Sequence, residues 1–383
     1  MSESSEDEYG YTRETVAGEV AAPVLNYRPP GAKTYRPNIG LIGCGGITEH
    51  HLNAYRNIGY NVVAFCDIER ERAESRRDEF YPDAIVTTDN REVLLRKDIE
   101  VVDIATHPAP RVTLIEDALK AGKHVLSQKP FVLDLADGER LAALADENNV
   151  RLAVNQNGRW SPHFSYIREA VREGVIGDLS FVDCAVHWDH NWTAGTPFDD
   201  IYHLILYDFS IHWFDFVQTL AGDLRAESVY TSNGPSTGQR AKPPLVAQVI
   251  IEYPEHRASL DFNGNCLYGA SDRTVVCGTE GTLISEGPGL MDQTVTLVTE
   301  KGRASPKLEG VWMPDGMGGT MGELLCAIEE DRGPSNSGRN NLKSLELCFA
   351  AIASADSGKP VKVGTVRKLT EIKIRNYGLM NVL

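Results

Sequence analysis

Short apolar runs alternate with amphipathic stretches between residues 38 and 157, and this alternation constrains the fold more than any other feature of the chain. The runs are rich in β-branched residues, and the stretches between them close at Gly59, Gly122 and Asn149, residue types that tolerate the positive φ of a helix end. Repeated strand–helix–strand units need crossover connections, which make the strands parallel and cover both faces of the sheet with helices. We therefore predict a doubly wound α/β domain over residues 38–157.

The pattern differs on either side of this domain. Residues 1–37 begin with an acidic cluster and continue with prolines but without periodicity, so we predict an arm, either a solvated tail or a segment extended on its own or a neighbouring subunit. Beyond residue 157, strand-like runs follow one another with short turns, and helices are predicted from about Tyr207 to Leu220, around Met321–Glu330 and around Asn341–Ser357. Successive strands of this kind are typical of antiparallel sheets, so residues 158–383 are predicted to form an α+β domain.

Composition argues against several classes of protein. The formal net charge is −16 at pH 7, which opposes binding to nucleic-acid phosphates or anionic lipid. No run reaches the roughly 18 apolar residues of a membrane span, and the first residues lack the basic and apolar regions of a signal peptide. The seven cysteines are scattered without a C-x-x-C spacing, which favours reduced thiols. We expect a cytoplasmic protein that binds neither nucleic acid nor membrane.

A glycine-rich loop follows the first predicted strand. Gly43, Gly45, Gly46 and Ile47 lead directly into a helix that begins near Thr48, which replaces the usual Gly or Ala of a dinucleotide fingerprint. Glycine lets the backbone turn tightly and approach a pyrophosphate, whose negative charge is attracted by the helix N-terminus. The alternative is a tight turn without a nucleotide. The preceding strand, the following helix and the repeated units favour a dinucleotide site.

Asp67 bears on which dinucleotide binds. It ends the second predicted strand, 22 residues after Gly45. A carboxylate there accepts hydrogen bonds from the ribose hydroxyls of NAD and repels the 2′-phosphate of NADP. Arg70 and Arg72 lie close enough in sequence to bind that phosphate, but they alternate with glutamates on a predicted helix and are expected to be solvated. We therefore predict NAD, with NADP less favoured.

Three further segments accompany the glycine loop. They are residues 105–108 (Ala-Thr-His-Pro), 128–130 (Gln-Lys-Pro) and 208–212 (Asp-Phe-Ser-Ile-His), the last followed by Asp215. In order and spacing the four segments resemble the glucose–fructose oxidoreductase, inositol dehydrogenase and rhizopine-catabolism (Gfo/Idh/MocA) family, over residues from about 38 to 365. The resemblance implies a Rossmann domain and a second domain with a large, mostly antiparallel open sheet that commonly joins subunits into homodimers or homotetramers. It also implies NAD(P)-dependent hydride transfer to or from a secondary alcohol of a sugar, cyclitol or polyol.

The resemblance assigns several residues to the cofactor. Thr106 and His107 match the loop that borders it, and Asn157 lies where the family often places a residue near nicotinamide or substrate. Gln128 departs from the family pattern, which has glutamate there. Its amide can still bind a ribose hydroxyl, but it removes a negative charge beside Lys129.

Lys129, Asp208 and His212 are the catalytic candidates. Lys129 matches the lysine of the family's Glu-Lys-Pro motif, and the other two match its Asp-x-x-x-His pair. Oxidation of an alcohol needs a base for the hydroxyl proton, and His212 suits that role because the ordinary histidine pKa lies near neutrality. Asp208 is predicted at i−4 on the same helix, where it would orient the imidazole or hold a substrate hydroxyl, and Lys129 would stabilise the developing alkoxide and relay its proton. The alternative from the residues alone is a polar stripe on an apolar helix.

Aromatic and polar side chains between the predicted domains fit a carbohydrate pocket, although they could equally fill a domain junction. The substrate-binding candidates are Lys129, Trp160, His187, Asn191, Trp192, His203 and Tyr207. We predict no metal site, because His187 and His190 would point to opposite faces of a strand and no metal-ligand spacing is evident.

Together these features predict a NAD-dependent dehydrogenase or reductase that acts on CH–OH groups. Two alternatives stay open. One is NAD-assisted hydrolysis or elimination on a glycoside, in which the cofactor is retained and the hydride returns to the substrate. The other is a ligand sensor that binds NAD without chemistry, although such relatives tend to lose the lysine and histidine that this chain has at Lys129 and His212.

Overall fold

The computed structural model describes residues 18–369, apart from the side chain of Ala109. Residues 1–17 and 370–383, which include the start of the predicted arm and the end of the predicted second domain, lie outside the described residues. Within the described part of the chain, no helix combines the length and apolarity needed to cross a membrane.

The first sheet is entirely parallel. Its strands are β1 (Asn38–Ile42), β2 (Asn61–Cys66), β3 (Ile85–Thr87), β4 (Ile99–Ile104), β5 (His124–Gln128) and β6 (Leu152–Asn155). They lie in the order β3-β2-β1-β4-β5-β6. This is the strand order of a Rossmann fold, and it confirms the predicted doubly wound domain.

Helices cover both faces of this sheet. They are α1 (Thr48–Ile58), α2 (Arg70–Phe80), α3 (Asn90–Leu94), α4 (Pro108–Lys120) and α5 (Leu135–Glu147). Val101 and Val102, neighbours on β4 whose side chains point to opposite faces, are both fully buried. Burial on both faces explains why the strands are continuous apolar runs without alternation.

The second sheet is larger and mostly antiparallel. After α6 (Pro162–Arg172) come β7 (Leu179–His187), α7 (Ile211–Ala221), β8 (Ser228–Gly234), β9 (Val246–Glu252), β10 (Arg257–Asn263), β11 (Ser271–Gly278), β12 (Gly281–Gly289), β13 (Asp292–Thr299), β14 (Gly302–Ala304), α8 (Asp315–Glu329), α9 (Gly338–Ser357) and β15 (Val361–Lys362). The order is β14-β13-β12-β11-β7-β10-β9-β8-β15, and only the β7–β10 pair is parallel. The predicted antiparallel α+β sheet is confirmed.

One face of the second sheet is covered and the other is open. Helices α6, α7 and α9 contact strands of this sheet. On β9, Val249 and Ile251 are buried on the covered face, whereas Ile250 between them is 49% exposed. Its cross-strand neighbour on β8, Tyr230, is 40% exposed on the same open face. The sheet therefore presents apolar side chains to its surroundings.

Helix α8 packs into the first domain. Its Met317, Met321 and Leu324 are fully buried in one cluster with Leu52 and Tyr55 of α1. The boundary predicted at residue 157 assigned this segment to the second domain, and the predicted helix began only near residue 321. The packing instead makes α8 part of the Rossmann core.

Residues 18–37 lie extended on their own chain. The Ser165 hydroxyl donates a hydrogen bond to the Tyr27 carbonyl oxygen at 2.7 Å. At the end of α8, the Glu329 carboxylate accepts hydrogen bonds from three consecutive backbone N–H groups, those of Lys33, Thr34 and Tyr35, at 2.7, 2.6 and 2.9 Å. For this part of the predicted arm the structure favours the docked alternative over a solvated tail.

Candidate functional site

The glycine loop has the geometry of a phosphate-binding turn. Gly43 has φ +90°, and a Cβ there would lie 2.9 Å from the Ala105 carbonyl, so glycine is required. A Cβ on Gly45 or Gly46 would meet nothing within 4 Å, which leaves open space beside the backbone. Among the described residues, the N–H groups of Gly45, Gly46 and Ile47 have no hydrogen-bond acceptor. These donors at the start of α1 fit a pyrophosphate.

Thr48 and Asp67 hold this loop from two sides. The Thr48 hydroxyl donates to the Gly45 carbonyl oxygen at 2.6 Å, which explains how threonine serves at the third fingerprint position. Asp67, at the end of β2, accepts the backbone N–H of Cys44 at 2.7 Å and that of Glu69 at 2.9 Å. Each carboxylate oxygen keeps a lone pair with which it can accept a ribose hydroxyl.

The two arginines near Asp67 are paired on their own helix. Arg70 contacts Glu74 at 2.8 Å, and Arg72 contacts Glu69 at 2.9 Å. All four side chains are more than a third exposed. Asp67 is therefore the charged group that ties the nucleotide loop to β2, a charge arrangement that suits NAD.

Lys129 joins the two halves of the molecule. It follows β5, and its Nζ donates to the Asp208 backbone carbonyl at 2.8 Å and to Asp208 Oδ1 at 3.1 Å. The two side chains are 16% and 24% exposed, so the pair is partly open to the space between the domains. An ammonium of the first domain and a carboxylate of the second thus meet at one point.

His212 lies within electrostatic range of Lys129. It occupies the first turn of α7 and is 9% exposed. Burial, and secondarily the positive charge of Lys129, hold the pKa of His212 well below its ordinary value of 6.5. The imidazole is therefore neutral at neutral pH and able to accept a proton. Its Nδ1 has no hydrogen-bond partner among the described residues.

The backbone around Asp208 differs from the predicted helix. Residues Ile205–Phe209 form a π-helical turn, in which the Ser210 N–H donates to the Ile205 carbonyl oxygen at 2.7 Å, and α7 begins only at Ile211. Asp208 therefore does not share one continuous α-helix with His212, as the sequence predicted, and its carboxylate contacts Lys129.

Gln128 belongs to a buried network behind Lys129. Its Oε1 accepts the Lys129 backbone N–H at 2.7 Å, and its Nε2 lies 3.1 Å from His51 Nε2. The same His51 nitrogen lies 3.0 Å from Asn155 Nδ2, while His51 Nδ1 contacts Asp103 Oδ2 at 2.7 Å. Both polar groups of the Gln128 amide are thus already used within the protein, where the sequence predicted a contact with a ribose hydroxyl.

Arg111 is a buried residue that the sequence analysis missed. Its guanidinium on α4 is 1% exposed and donates to the carbonyl oxygens of Thr106 and Pro130. Burial lowers its pKa to about 10, which leaves it charged. It links the predicted cofactor loop, where His107 is exposed before α4, to the turn that carries Lys129. The only signal was one arginine in an otherwise apolar stretch.

Asn157 lies near His212 but is engaged with the protein. Its Oδ1 accepts the indole N–H of Trp312 at 2.6 Å. The Trp312 ring packs on His212 with centroids 5.4 Å apart, and a Cβ on Gly158 would lie 3.4 Å from His212 Nδ1. Asn157 therefore holds Trp312, the ring that packs beside the His212 imidazole.

Three substrate candidates, Trp160, Asn191 and His203, make contacts elsewhere in the protein, and a fourth, Trp192, is largely exposed. Trp160 lines a separate cavity of about 370 Å³ beneath the arm. Asn191 is 2% exposed, and its side chain bonds Asp189, Asn265 and the Arg240 N–H. His203 Nε2 contacts Asp356 at 3.0 Å, and Trp192 is 57% exposed. These contacts agree with the domain-junction alternative for Trp160, Asn191 and His203.

Tyr207 and His187 are the remaining substrate candidates. Tyr207 precedes Asp208, is 1% exposed, and its hydroxyl has no partner among the described residues. Burial raises its pKa, which keeps the phenol protonated. His187 is the last residue of β7, and His190 lies beyond the strand, so the strand geometry used to argue against a metal does not apply. Within residues 18–369, no three His, Cys, Asp or Glu side chains are grouped as metal ligands.

Family comparisons agree with this geometry. Residues 37–156 match the model of the Gfo/Idh/MocA oxidoreductase family with its NAD-binding Rossmann fold, and residues 164–284 match the family's C-terminal domain. These two regions make up more than half of the chain. The chain belongs to the Gfo/Idh/MocA family. The predicted family, oxidoreductase class and NAD cofactor are thereby confirmed.

The similarity of this Gfo/Idh/MocA protein to its relatives extends over most of its length. It is 28% identical to a D-apiose dehydrogenase of Paraburkholderia graminis, over 84% of this chain and 88% of that one. It is 25% identical to an inositol 2-dehydrogenase of Rhizobium meliloti, over 85% and 98%. An oxidoreductase from Agrobacterium radiobacter, crystallised with NAD⁺, L-tartaric acid and magnesium, shares the fold with a TM-score of 0.77 at 20% identity, over 86% and 99%. None of these three supports the glycoside-cleaving or sensor alternative.

Proposed function

We propose that this protein transfers hydride between NAD and a secondary alcohol of a sugar, cyclitol or polyol, with Lys129, Asp208 and His212 as its catalytic residues. The observation that carries the proposal is the meeting of Lys129 with Asp208 across the two domains, at 2.8 and 3.1 Å, within electrostatic range of His212. The names of two dehydrogenase relatives, one for D-apiose and one for inositol, support the substrate class.

The protein residues divide the work of binding. The free N–H groups of Gly45, Gly46 and Ile47 would hold the pyrophosphate, and Asp67 would accept an adenosine ribose hydroxyl. When bound, NAD supplies the nicotinamide that accepts or returns the hydride. Asp208 holds the Lys129 ammonium in place at the mouth between the domains.

The same residues account for the proton. In the oxidation direction the neutral His212 imidazole accepts the hydroxyl proton as the hydride leaves the carbinol carbon, which then becomes a carbonyl. The Lys129 ammonium donates a hydrogen bond to the oxygen, where negative charge develops. In the reduction direction, the protonated imidazole returns its proton to that oxygen.

A substrate screen tests this proposal. Purified protein is assayed with NAD and with NADP against aldoses, polyols and inositols, following the absorbance of reduced nicotinamide. We expect net NADH formation with at least one polyol, and a large loss of turnover in Lys129→Ala and His212→Ala at unchanged NADH affinity. If both variants keep turnover within a few-fold of the wild type, the assigned roles are wrong.

The same screen separates the alternatives. Tightly retained NAD, with cleavage of a glycoside and no net NADH, would indicate the hydrolase or elimination reaction instead. Saturable polyol binding without turnover of any panel member would indicate a sensor.

We also propose that the protein is a cytoplasmic homodimer or homotetramer assembled through the open face of the second sheet. The paired, exposed Tyr230 and Ile250 support an interface there, and the seven free cysteines support a reducing compartment. Light scattering measures the mass in solution. We expect Ile250→Glu to lower it to that of a monomer, and a monomeric wild type would refute the interface.

A further inference from the structure

His190 is held in a fixed position beside the Lys129–Asp208 pair. Its N–H donates to the Gly264 carbonyl oxygen at 2.7 Å, and its own carbonyl accepts the Thr193 hydroxyl at 2.9 Å. The adjacent Asp189 pairs with Asn265 in a β-bridge. Hydrogen bonds thus hold the backbone on both sides of His190.

Aromatic rings enclose the His190 imidazole. Its centroid lies 5.0 Å from that of Phe209, the residue directly after Asp208. The ring of Trp188 stacks on it at 5.5 Å and 23°, and that of Trp192 meets it edge-on at 5.2 Å. Trp188 also stacks on Phe209 at 4.6 Å. The imidazole is therefore part of one aromatic wall that continues into the Asp208 turn.

The imidazole of His190 has no hydrogen-bond partner among the described residues. His190 is 4% exposed, and its Nδ1 is buried without a partner in residues 18–369. Its side chain makes no hydrogen bond to any described residue, unlike that of His203, which is paired with Asp356. A buried polar atom without a partner calls for an explanation, and a bound ligand group is one.

His190 interacts electrostatically with two of the proposed catalytic residues, Asp208 and Lys129. Burial lowers the pKa of His190 to about 4, while Asp208 acts to raise it and Lys129 to lower it. Lys129 has the same effect on His212, so the ammonium lies within range of two histidines. A neutral imidazole has one donor and one acceptor nitrogen, and a hydroxyl group can pair with either.

We propose that His190 is a specificity-determining residue that binds the substrate hydroxyl on the carbon next to the oxidised one, so that the enzyme selects vicinal polyols. The inference rests on the proposed dehydrogenase function. The reacting hydroxyl occupies the space shared by Lys129 and His212, the neighbouring hydroxyl pairs with His190, and the C–H face of the substrate packs on the aromatic wall of Trp188, Trp192 and Phe209.

The test compares substrates that differ by one hydroxyl. Myo-inositol and D-glucose are each paired with the analogue that lacks one ring hydroxyl next to the oxidised carbon, and kcat/KM is measured with NAD for the wild type and for His190→Phe. We expect the wild type to prefer the complete polyol. His190→Phe should lower kcat/KM for that polyol roughly 10–100-fold, mainly through KM, and leave that for the deoxy analogue nearly unchanged.

His256→Phe is the matched control. His256 is also buried, stacks on an aromatic ring (Tyr253, 4.3 Å) and has one unpartnered nitrogen, but it lies at the turn between β9 and β10. It should keep the wild-type preference. NADH affinity reports folding for each variant. If His190→Phe does not fold, His190→Gln keeps polar groups in the wall and should lower the preference by a smaller factor.

Several outcomes overturn the inference. If the wild type has the same kcat/KM for the polyol and for its deoxy analogue, the inference is wrong, whatever the variants do. An equal loss for both substrates in His190→Phe overturns it too, since it would show a structural role only. If no polyol is oxidised at all, the proposed function fails first, and that result is distinct from an active enzyme whose preference ignores His190.

Discussion

Removal of the Asp215 charge should destabilise the protein strongly. Asp215 on α7 receives two hydrogen bonds from the Arg159 guanidinium, at 2.6 and 2.7 Å, and a third from the Ser344 hydroxyl at 2.8 Å. The side chains of Arg159 and Asp215 are only 7% and 2% exposed, so water cannot replace the lost partner. Asp215→Asn keeps the shape but leaves a buried guanidinium without its counter-charge.

The magnitude follows from that burial. Breaking one side of a buried ion pair costs about 3–5 kcal/mol, because the remaining charge stays desolvated. We therefore expect urea unfolding of Asp215→Asn, followed by tryptophan fluorescence, to have a midpoint lowered accordingly with an unchanged slope. Activity should fall as well, since Asp215 lies on the same helix as His212 and its partner Arg159 lies in the turn Asn157–Trp160.

An exposed pair provides the control for this experiment. Asp223 contacts Lys343 at 3.1 Å, but its side chain is fully exposed. Asp223→Asn should leave the midpoint within error of the wild type, because surface pairs contribute little. A loss below about 1 kcal/mol in Asp215→Asn would refute the inference that the remaining guanidinium stays buried without a counter-charge.

Three further predictions concern the chemistry. Lys129→Ala should lower kcat by roughly 10²–10⁴-fold in steady-state assays, since it removes the donor to the developing alkoxide, and a loss confined to KM would contradict this role. Burial and Lys129 hold the pKa of His212 well below 6.5, so kcat/KM for oxidation should stay constant as the pH falls to 6.5 and should decrease only at lower pH. A decrease in kcat/KM that begins at or above pH 6.5 would be inconsistent with His212 as the base. Asp67→Asn removes the charge that repels the 2′-phosphate and should reduce the preference for NAD over NADP about tenfold, and an unchanged ratio of the two kcat/KM values would exclude that role.

Much of the first domain could be predicted from sequence because its signals are local. Each strand is a short apolar run, each crossover has helical spacing, and the glycine loop follows the first strand. These features determine a parallel sheet almost without reference to distant contacts. The residues that the loop brings together, such as Cys44 and Asp67, follow from that topology.

The sequence predicted only the second half of helix α8, because the helix is stabilised by contacts with residues that are distant in sequence. Four glycines in its first half lower helix propensity, so the pattern favoured a later start. In the structure they permit close packing: a Cβ on Gly319 would lie 2.5 Å from Trp160, and one on Gly322 would lie 2.0 Å from the Pro30 carbonyl oxygen. Neither neighbour is near in sequence, so the reason for glycine was not visible there.

The proposed catalytic residues show the same limit at finer scale. Sequence identified Lys129, Asp208 and His212 as candidates, but not the π-helical turn that directs Asp208 to Lys129. The position of His190 depends on where β7 ends, at His187, and on a hydrogen bond to Gly264, which is distant in sequence and follows β10. The sequence was enough to identify which residue types the site contains. The directions of their side chains depend on local irregularities of the backbone, which the sequence pattern does not show.

The placement of α8 has a consequence for biosynthesis. A ribosome releases the chain from its N-terminus, so the six parallel strands emerge long before residues 315–329, which complete one side of their core. Until then the surface formed by Leu52 and Tyr55 is uncovered and exposed to chaperones. The core of the nucleotide-binding half is therefore complete only after residue 329 has left the ribosome, and we expect a fragment ending at residue 157 to leave this apolar surface uncovered.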